Sequence, residues 1–338
     1  QPHAEVKIAC YAAATNWGDR DVLIVDECHH APATEARRQI ETCGGARWGF
    51  TATPHSENED RNSLLFDLFA NELFTISRAA VRNRVVAAKV IMLPDTDNGL
   101  RKAIDDGATA RMDSVFKRYG RWMMRKERDI ALKRFLFEKQ KHGLLTIELK
   151  AEFEIYLKNL VRKILWPRAV WQSCIDIGIV NNHARNCAVI DLARHHRKDS
   201  VLILVNQIEH GHALQKNIPE SELCFSKMGK TKRESVLTRF SSGEIGCLIA
   251  TSLADEGLDV PRANVLVLVS AGRSRRAAEQ RTGRVLRTFA GKTHGIIYDF
   301  NDLQHPLMAK HARTRVDLYR NLGYQVEGDL CACFNGVP

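Results

Sequence analysis

The segment Val22-Leu23-Ile24-Val25-Asp26-Glu27-Cys28-His29-His30 closes an apolar run with two acids and two histidines. In an open parallel sheet, ligands bind at the carboxyl ends of the strands. Adjacent carboxylates there suit a magnesium–nucleotide site, Asp26 holding the hydrated ion and Glu27 orienting or deprotonating a water. The histidines offer metal ligation as a second reading. Adjacent rings do not easily aim at one ion, however, and no other ligand cluster has matching spacing. Further on, Phe50-Thr51-Ala52-Thr53-Pro54 places two small hydroxyls at a strand end, where they can bridge a nucleotide site to a neighbouring element. Near the C-terminus, Gln280-Arg281-Thr282-Gly283-Arg284-Val285-Leu286-Arg287 puts Arg284 and Arg287 three apart on a predicted helix, hence on one face. Two guanidinium groups aimed together clamp a triphosphate well. A solvated acid pair and a basic helix end bonding its last carbonyls are the plain alternatives.

Three regions must position these groups. Val6–Cys10, Val22–Val25 and Ala46–Phe50 read as buried strands, with helices over Thr34–Cys43 and Arg61–Ala70, and Val85–Leu93 ends this block at Pro94. Residues 95–180 lose the strand signal. Met112, Val115, Phe116, Tyr119, Trp122 and Met123 recur at helical spacing, and a second amphipathic stretch follows through Ala151–Leu165. Alternation then returns. Val201–Val205, Leu223–Phe225, Gly246–Ala250, Val265–Val269 and His294–Asp299 read as strands. Ile208–Lys216, Lys230–Phe240, Arg275–Leu286 and His305–Leu322 read as helices. The fold class is therefore α/β, with parallel sheets in residues 1–94 and 181–323, a helical insertion at 95–180 and a tail at 324–338.

Composition narrows the classes. Hydrophobic residues are 44% and charged residues 27%, enough to bury a core and too much for wholesale disorder. No apolar run approaches a membrane span, no signal-peptide pattern opens the chain, and the nine cysteines lack C-x-x-C spacing, which suits an intracellular setting. The net charge of +10 is uneven: −3 over residues 1–95, +9 over 96–199 and +4 over 200–338. A basic middle segment, including Lys117, Arg118, Arg121 and Arg125, predicts a polyanion partner, most simply nucleic acid. A solvated helical surface is the alternative.

Taken jointly, these motifs resemble those of superfamily 2 helicases of the DExH type. Asp26-Glu27-Cys28-His29 is similar to motif II and Thr51-Ala52-Thr53 to motif III. Val201–Gly211 is similar to motif IV, Ile249 through Pro261 to motif V, and Gln280 through Arg287 to motif VI. The wording is closest to the DNA-directed branch that includes the UvsW and transcription-repair helicases. The resemblance implies two RecA-like domains, the first incomplete, with ATP and Mg²⁺ as cofactors and nucleic acid, DNA rather than RNA, as partner. It implies that Asp26 positions the magnesium through water, Glu27 is the general base, and His29 couples the site to the other domain. Thr51 and Thr53 link hydrolysis to strand movement. Thr251 touches the nucleic-acid backbone, and Gly257 and Asp259 approach the nucleotide. Gln280 senses the nucleotide, and Arg284 and Arg287 are arginine fingers.

Two departures stand out. No G-x-x-x-x-G-K-[ST] phosphate loop is present: Gly229-Lys230-Thr231 and Gly291-Lys292-Thr293 have Cys224 and Leu286 where the first Gly is required. The family's phosphate loop precedes motif II, so the sequence reads as one truncated before it, and the 338 residues alone are expected to be inactive. The segment at Cys10-Tyr11-Ala12, where the family often places a threonine, is also non-polar. The runner-up is a non-hydrolysing helicase-like module that binds nucleic acid or a partner chain.

Overall fold

The computed structural model describes residues 20–51, 59–69, 85–94, 99–141, 149–251, 260–270, 272 and 275–328. The chain forms two compact units, Gln1–Val81 and Arg82–Pro338. The expected strand Val6–Cys10 lies outside the described residues.

In the first unit, β1 (Val22–Val25) and β2 (Ala46–Gly49) pair in parallel, with α1 (Thr34–Glu41) between them and α2 (Glu59–Phe69) following. Leu23 and Val25 pack with Ile40 of α1 and with Leu65 and Leu68 of α2. The sequence predicts β1 as fully buried, and here the structure differs: Val22 and Ile24 are 53% and 67% exposed. Successive strand residues point to opposite faces, and among the described residues helices cover only the Leu23 and Val25 face.

The second unit is a three-layer α/β body around a seven-stranded, all-parallel sheet in the order β5-β6-β4-β7-β8-β3-β9. Its strands are β3 (Ala87–Leu93), β4 (Val201–Leu204), β5 (Ser221–Cys224), β6 (Cys247–Ala250), β7 (Val265–Leu268), β8 (His294–Phe300) and β9 (Gln325–Glu327). Its helices are α3 (Leu100–Lys141), α4 (Leu149–Ile175), α5 (His183–His195), α6 (Ile208–Asn217), α7 (Lys230–Ser242), α8 (Arg275–Val285) and α9 (Pro306–Asn321). The central strands read VLIL, CLIA and VLVL because both faces are covered. Val201, Ile203, Ile249 and Val267 face α4, α5 and α6, and Leu202, Leu248, Leu266 and Ile297 face α7, α8 and α9.

Two boundaries shift from expectation. The run Val85–Leu93, read from sequence as the close of the first block, supplies β3, whose Ala87–Leu93 pairs residue for residue with β8 and joins the second sheet. Gln325–Glu327, read as tail, forms the outer strand beside β3. The predicted helical insertion is present as the antiparallel pair α3 and α4, followed by a π-helical turn at Asp176–Val180. Its base is part of the second unit's core: Ile104, Ala108, Val170 and Cys174 pack with the strands, and Arg111 pairs with Asp176. Its far half packs on itself through Ala131, Phe135, Phe153 and Leu157. Among the described residues, no helix is long and apolar enough to cross a membrane.

His210 on α6 is buried, with Nε2 2.8 Å from Asn186 Oδ1 on α5. Burial, helped by the Arg185 charge, lowers its pKa to about 4. The folded state therefore prefers neutral His210, and the unfolded state takes up the proton first as pH falls. Stability from this group is full above the ordinary imidazole pKa and is lost on acidification toward about 4. Between about pH 7 and about pH 5 the loss is on the order of 2 kcal/mol. A His210→Gln variant is expected to flatten the fall in melting temperature over that range; an unchanged pH slope would remove His210 from the account.

Candidate nucleotide site

The acidic motif is built by the ends of β1 and β2. Phe50 N–H donates to Val25 O at 2.8 Å and Cys28 N–H donates to Phe50 O at 2.9 Å, so the ladder continues past both strands and locks the turn that follows β1. Gly49 allows the approach, since a Cβ there would lie 2.8 Å from Cys28 Sγ. Glu27 takes left-handed backbone angles, φ 48° and ψ 43°, and ends the strand sharply before a 3₁₀ turn at Cys28–His30. For a residue other than glycine this conformation costs about 1–2 kcal/mol.

This turn brings four of the expected residues together. Asp26, at the exposed strand end, accepts the Glu27 N–H at 2.9 Å. Glu27 is about half exposed, and its Oε2 lies 3.2 Å from His29 Nδ1. His29 is only 6% exposed, and the same Nδ1 lies 3.0 Å from Thr51 Oγ1 beyond β2. With its proton on Nδ1, His29 donates toward both the Glu27 carboxylate and the Thr51 hydroxyl. The imidazole thus orients the carboxylate from below and ties it to Thr51. Burial pushes the Cys28 thiol up to about 11, away from the thiolate form. No group of three or more His, Cys, Asp or Glu among the described residues is placed to hold a metal. Magnesium keeps several waters and takes one or two carboxylates plus substrate phosphates. Asp26, with its exposed carboxylate, fits that role. Thr53 lies outside the described residues.

The second unit carries the other expected residues. Thr251 follows β6, is buried, and donates its N–H to Cys224 O at 3.2 Å. Gly257 and Asp259 lie outside the described residues. Gln280 and Arg284 are half-buried on α8. Arg287 corrects the sequence reading: α8 ends at Val285, and Arg287 sits beyond it, exposed, in an antiparallel bridge with Val85. Val86 N–H donates to Leu286 O at 2.8 Å, and Leu286 lies in a turn, so Arg287 is outside the helix that carries Arg284. Lys117 and Arg118 are exposed on α3, whereas Arg121 and Arg125 lie on α3 with side chains outside the described set. Lys292, which mimics a phosphate-loop lysine in sequence, donates to Pro261 O and Ala263 O at 2.9 and 2.6 Å. Burial lowers its pKa to about 8, and its work is structural.

Sequence reading missed a group of buried charges, Arg185, Asp299, Asp302 and Arg315, near the carboxyl ends of β7 and β8. The available signal was an acid inside the apolar run of β8 and an arginine among Met308, Ala312, Val316 and Tyr319 on the inward face of α9.

The described residues thus hold a seven-stranded parallel α/β unit and a separate two-stranded sheet that ends in an Asp-Glu-x-His turn. Residues 184–289 match the helicase conserved C-terminal domain, and residues 12–56 match the res subunit of type III restriction enzymes. The chain is 23% identical over 283 residues to the DNA 3'-5' translocase XPB2 of Sulfurisphaera tokodaii, covering 82% of this chain and 58% of that protein. It is 26% identical over 151 residues to the XPB helicase/translocase subunit of Drosophila melanogaster transcription and repair factor IIH, covering 41% of this chain and 18% of that one. The Pyrococcus furiosus Hef helicase domain is 17% identical with a TM-score of 0.41, covering 86% of this chain and 73% of that one. In its matched domains and motif order the chain is similar to superfamily 2 helicases. It spans 33% to 58% of the length of the curated relatives it matches over most of its own sequence.

Proposed function

We propose that the protein is an ATP-dependent nucleic-acid helicase or translocase, acting on DNA, that couples ATP hydrolysis to strand movement. The observation that carries this is the Glu27–His29–Thr51 contact, which links a candidate general base to the element after β2. Glu27 takes a proton from the attacking water, and His29 holds its carboxylate in place. Magnesium, when bound, neutralises charge on the triphosphate, and Asp26 holds it through water. His29 and Thr51 transmit the state of the site, and Thr53 continues that path. Arg284 and Arg287 stabilise the transferring phosphoryl group, Gln280 reads the nucleotide, and Gly257 and Asp259 approach it. Thr251 contacts the nucleic-acid backbone. The named relatives support DNA, one being a DNA translocase.

The testing experiment is ATP turnover by the full-length protein with and without added DNA or RNA. Stimulation by DNA supports the reading. Nucleotide binding without turnover would favour a non-hydrolysing module.

The basic residues of α3 are proposed as a nucleic-acid contact. Replacing Lys117, Arg118, Arg121, Arg125 and Lys126 with Gln is expected to weaken binding with little sequence dependence. It is also expected to flatten the slope of log affinity against log salt by roughly 0.7 to 0.9 for each phosphate no longer neutralised. An unchanged slope returns these residues to a solvated surface.

A further inference from the structure

Four charged side chains meet near the carboxyl ends of β7 and β8, all at least nine-tenths buried: Arg185 on α5, Asp299 on β8, Asp302 just beyond it, and Arg315 on α9. Arg315 Nε donates to Asp299 Oδ2 at 2.8 Å, and its Nη2 donates to Asp299 Oδ1 at 3.0 Å and Asp302 Oδ2 at 2.9 Å. Arg185 Nη2 donates to Asp302 Oδ1. The Tyr319 hydroxyl donates to Asp299 Oδ2 at 2.8 Å. The four charges cancel. Desolvation pushes the Asp302 carboxyl up, but Arg185 and Arg315 together hold it below its ordinary value. Buried ion clusters are costly to desolvate, and packed apolar side chains of similar volume often stabilise as well or better. Stability is therefore a poor account of this cluster, and its contacts give a better one.

Those contacts fall on one loop. Arg185 Nη1 donates to Val269 O at 2.7 Å, and Arg315 Nη1 donates to Gly272 O at 2.9 Å. Between them, Arg281 Nη1 reaches Ser270 O at 3.4 Å, and Asn206 Nδ2 donates to Ser270 Oγ at 2.7 Å. Guanidinium groups from α5, α8 and α9 thus hold three carbonyls within four residues, where the chain leaves β7 for α8. Asp302 has φ 54°, in the left-handed region, with one arginine on each carboxylate oxygen. Strain of this kind gathers at functional sites.

We infer that Arg185, Asp299, Asp302 and Arg315 are positioning residues for the arginines at the end of α8, because they fix the loop from which that helix starts. The inference rests on the proposed ATP-hydrolysing reading, in which Arg284 and Arg287 act on the triphosphate. The four residues work by placing α8. A misplacement of about 1 Å in a group aimed at a transition state can cost about 10²-fold in rate.

Arg185→Lys keeps the charge but loses the planar fork that serves a carbonyl and a carboxylate together. Asp302→Asn keeps the shape and loses the charge. In the full-length protein, each is expected to lower kcat roughly 10- to 100-fold, while KM for ATP and DNA affinity stay within about twofold. Amide exchange is expected to speed up across residues 269–280 while β4 and β6 keep their protection. Normal kcat in a folded variant overturns the inference. So does an even rise in exchange across the unit, or global unfolding of both variants, since either assigns the cluster to folding. Failure of the unsubstituted protein to hydrolyse ATP would instead overturn the ATPase reading, and the exchange result would still decide whether the cluster holds the loop.

Discussion

A Glu27→Gln substitution in the full-length protein is expected to preserve nucleotide binding and to lower DNA-stimulated ATP turnover by roughly 10²- to 10⁴-fold. The carboxamide keeps the size of the side chain and can still meet His29 Nδ1, which lies 3.2 Å from Oε2. It lacks the basicity to take a proton from water. The left-handed backbone at residue 27 is equally open to Glu and Gln, so the fold of the turn is expected to survive. Melting temperature and nucleotide affinity measured beside turnover separate the two effects. Near-normal turnover would remove Glu27 from the catalytic role and leave the acid pair as a solvated strand end.

The Arg287→Ala substitution is expected to be at least as severe, on the order of 10³-fold or more in turnover, by analogy with arginine fingers in other nucleotide hydrolases. The chain around Arg287 has backbone contacts of its own, the bridge to Val85 and the Val86 N–H bond to Leu286 O. Melting temperature measured beside turnover separates the loss of a guanidinium at the nucleotide from the loss of a local contact. An effect below about tenfold would assign Arg287 to structure. Arg284→Ala is the comparison: it lies half-buried on α8, so a stability loss is expected beside the rate loss.

The second sheet is legible in sequence for a simple reason. Its central strands are buried on both faces, so Val201–Leu204, Cys247–Ala250 and Val265–Leu268 stand out as unbroken apolar runs between helical stretches. The acidic turn is legible for a different reason, since carboxylates directly after an apolar run have few structural uses. What sequence does not carry is partnership across distance. The run Ala87–Leu93 reads the same whichever sheet it joins, and only its pairing with β8, some two hundred residues on in the chain, assigns it. Arg287 looks helical from spacing, because nothing local announces that Val85 and Val86 will draw the chain into an extended bridge. Arg185 and Arg315 read as surface cations until Asp302 and the β7 carbonyls are placed against them. Long-range polar pairing leaves a faint local trace, an ionisable residue on an apolar face, and that trace is easily passed over.

The α3–α4 pair has a mechanical consequence. Its base shares the core of the seven-stranded unit through Ile104, Ala108, Val170 and Cys174, whereas among the described residues its outer half packs on itself around Phe135 and Phe153. From Asp113 to the end of α3 at Lys141 the chain rises about 40 Å at 1.5 Å per residue. Such a rod must follow the sheet on which it is rooted. A turn of that sheet by about 10° would sweep the far end through about 7 Å, close to two steps of about 3.4 Å along a DNA strand. By length alone, a pair of this reach would enlarge a small rotation at its root into a displacement on the scale of nucleotides.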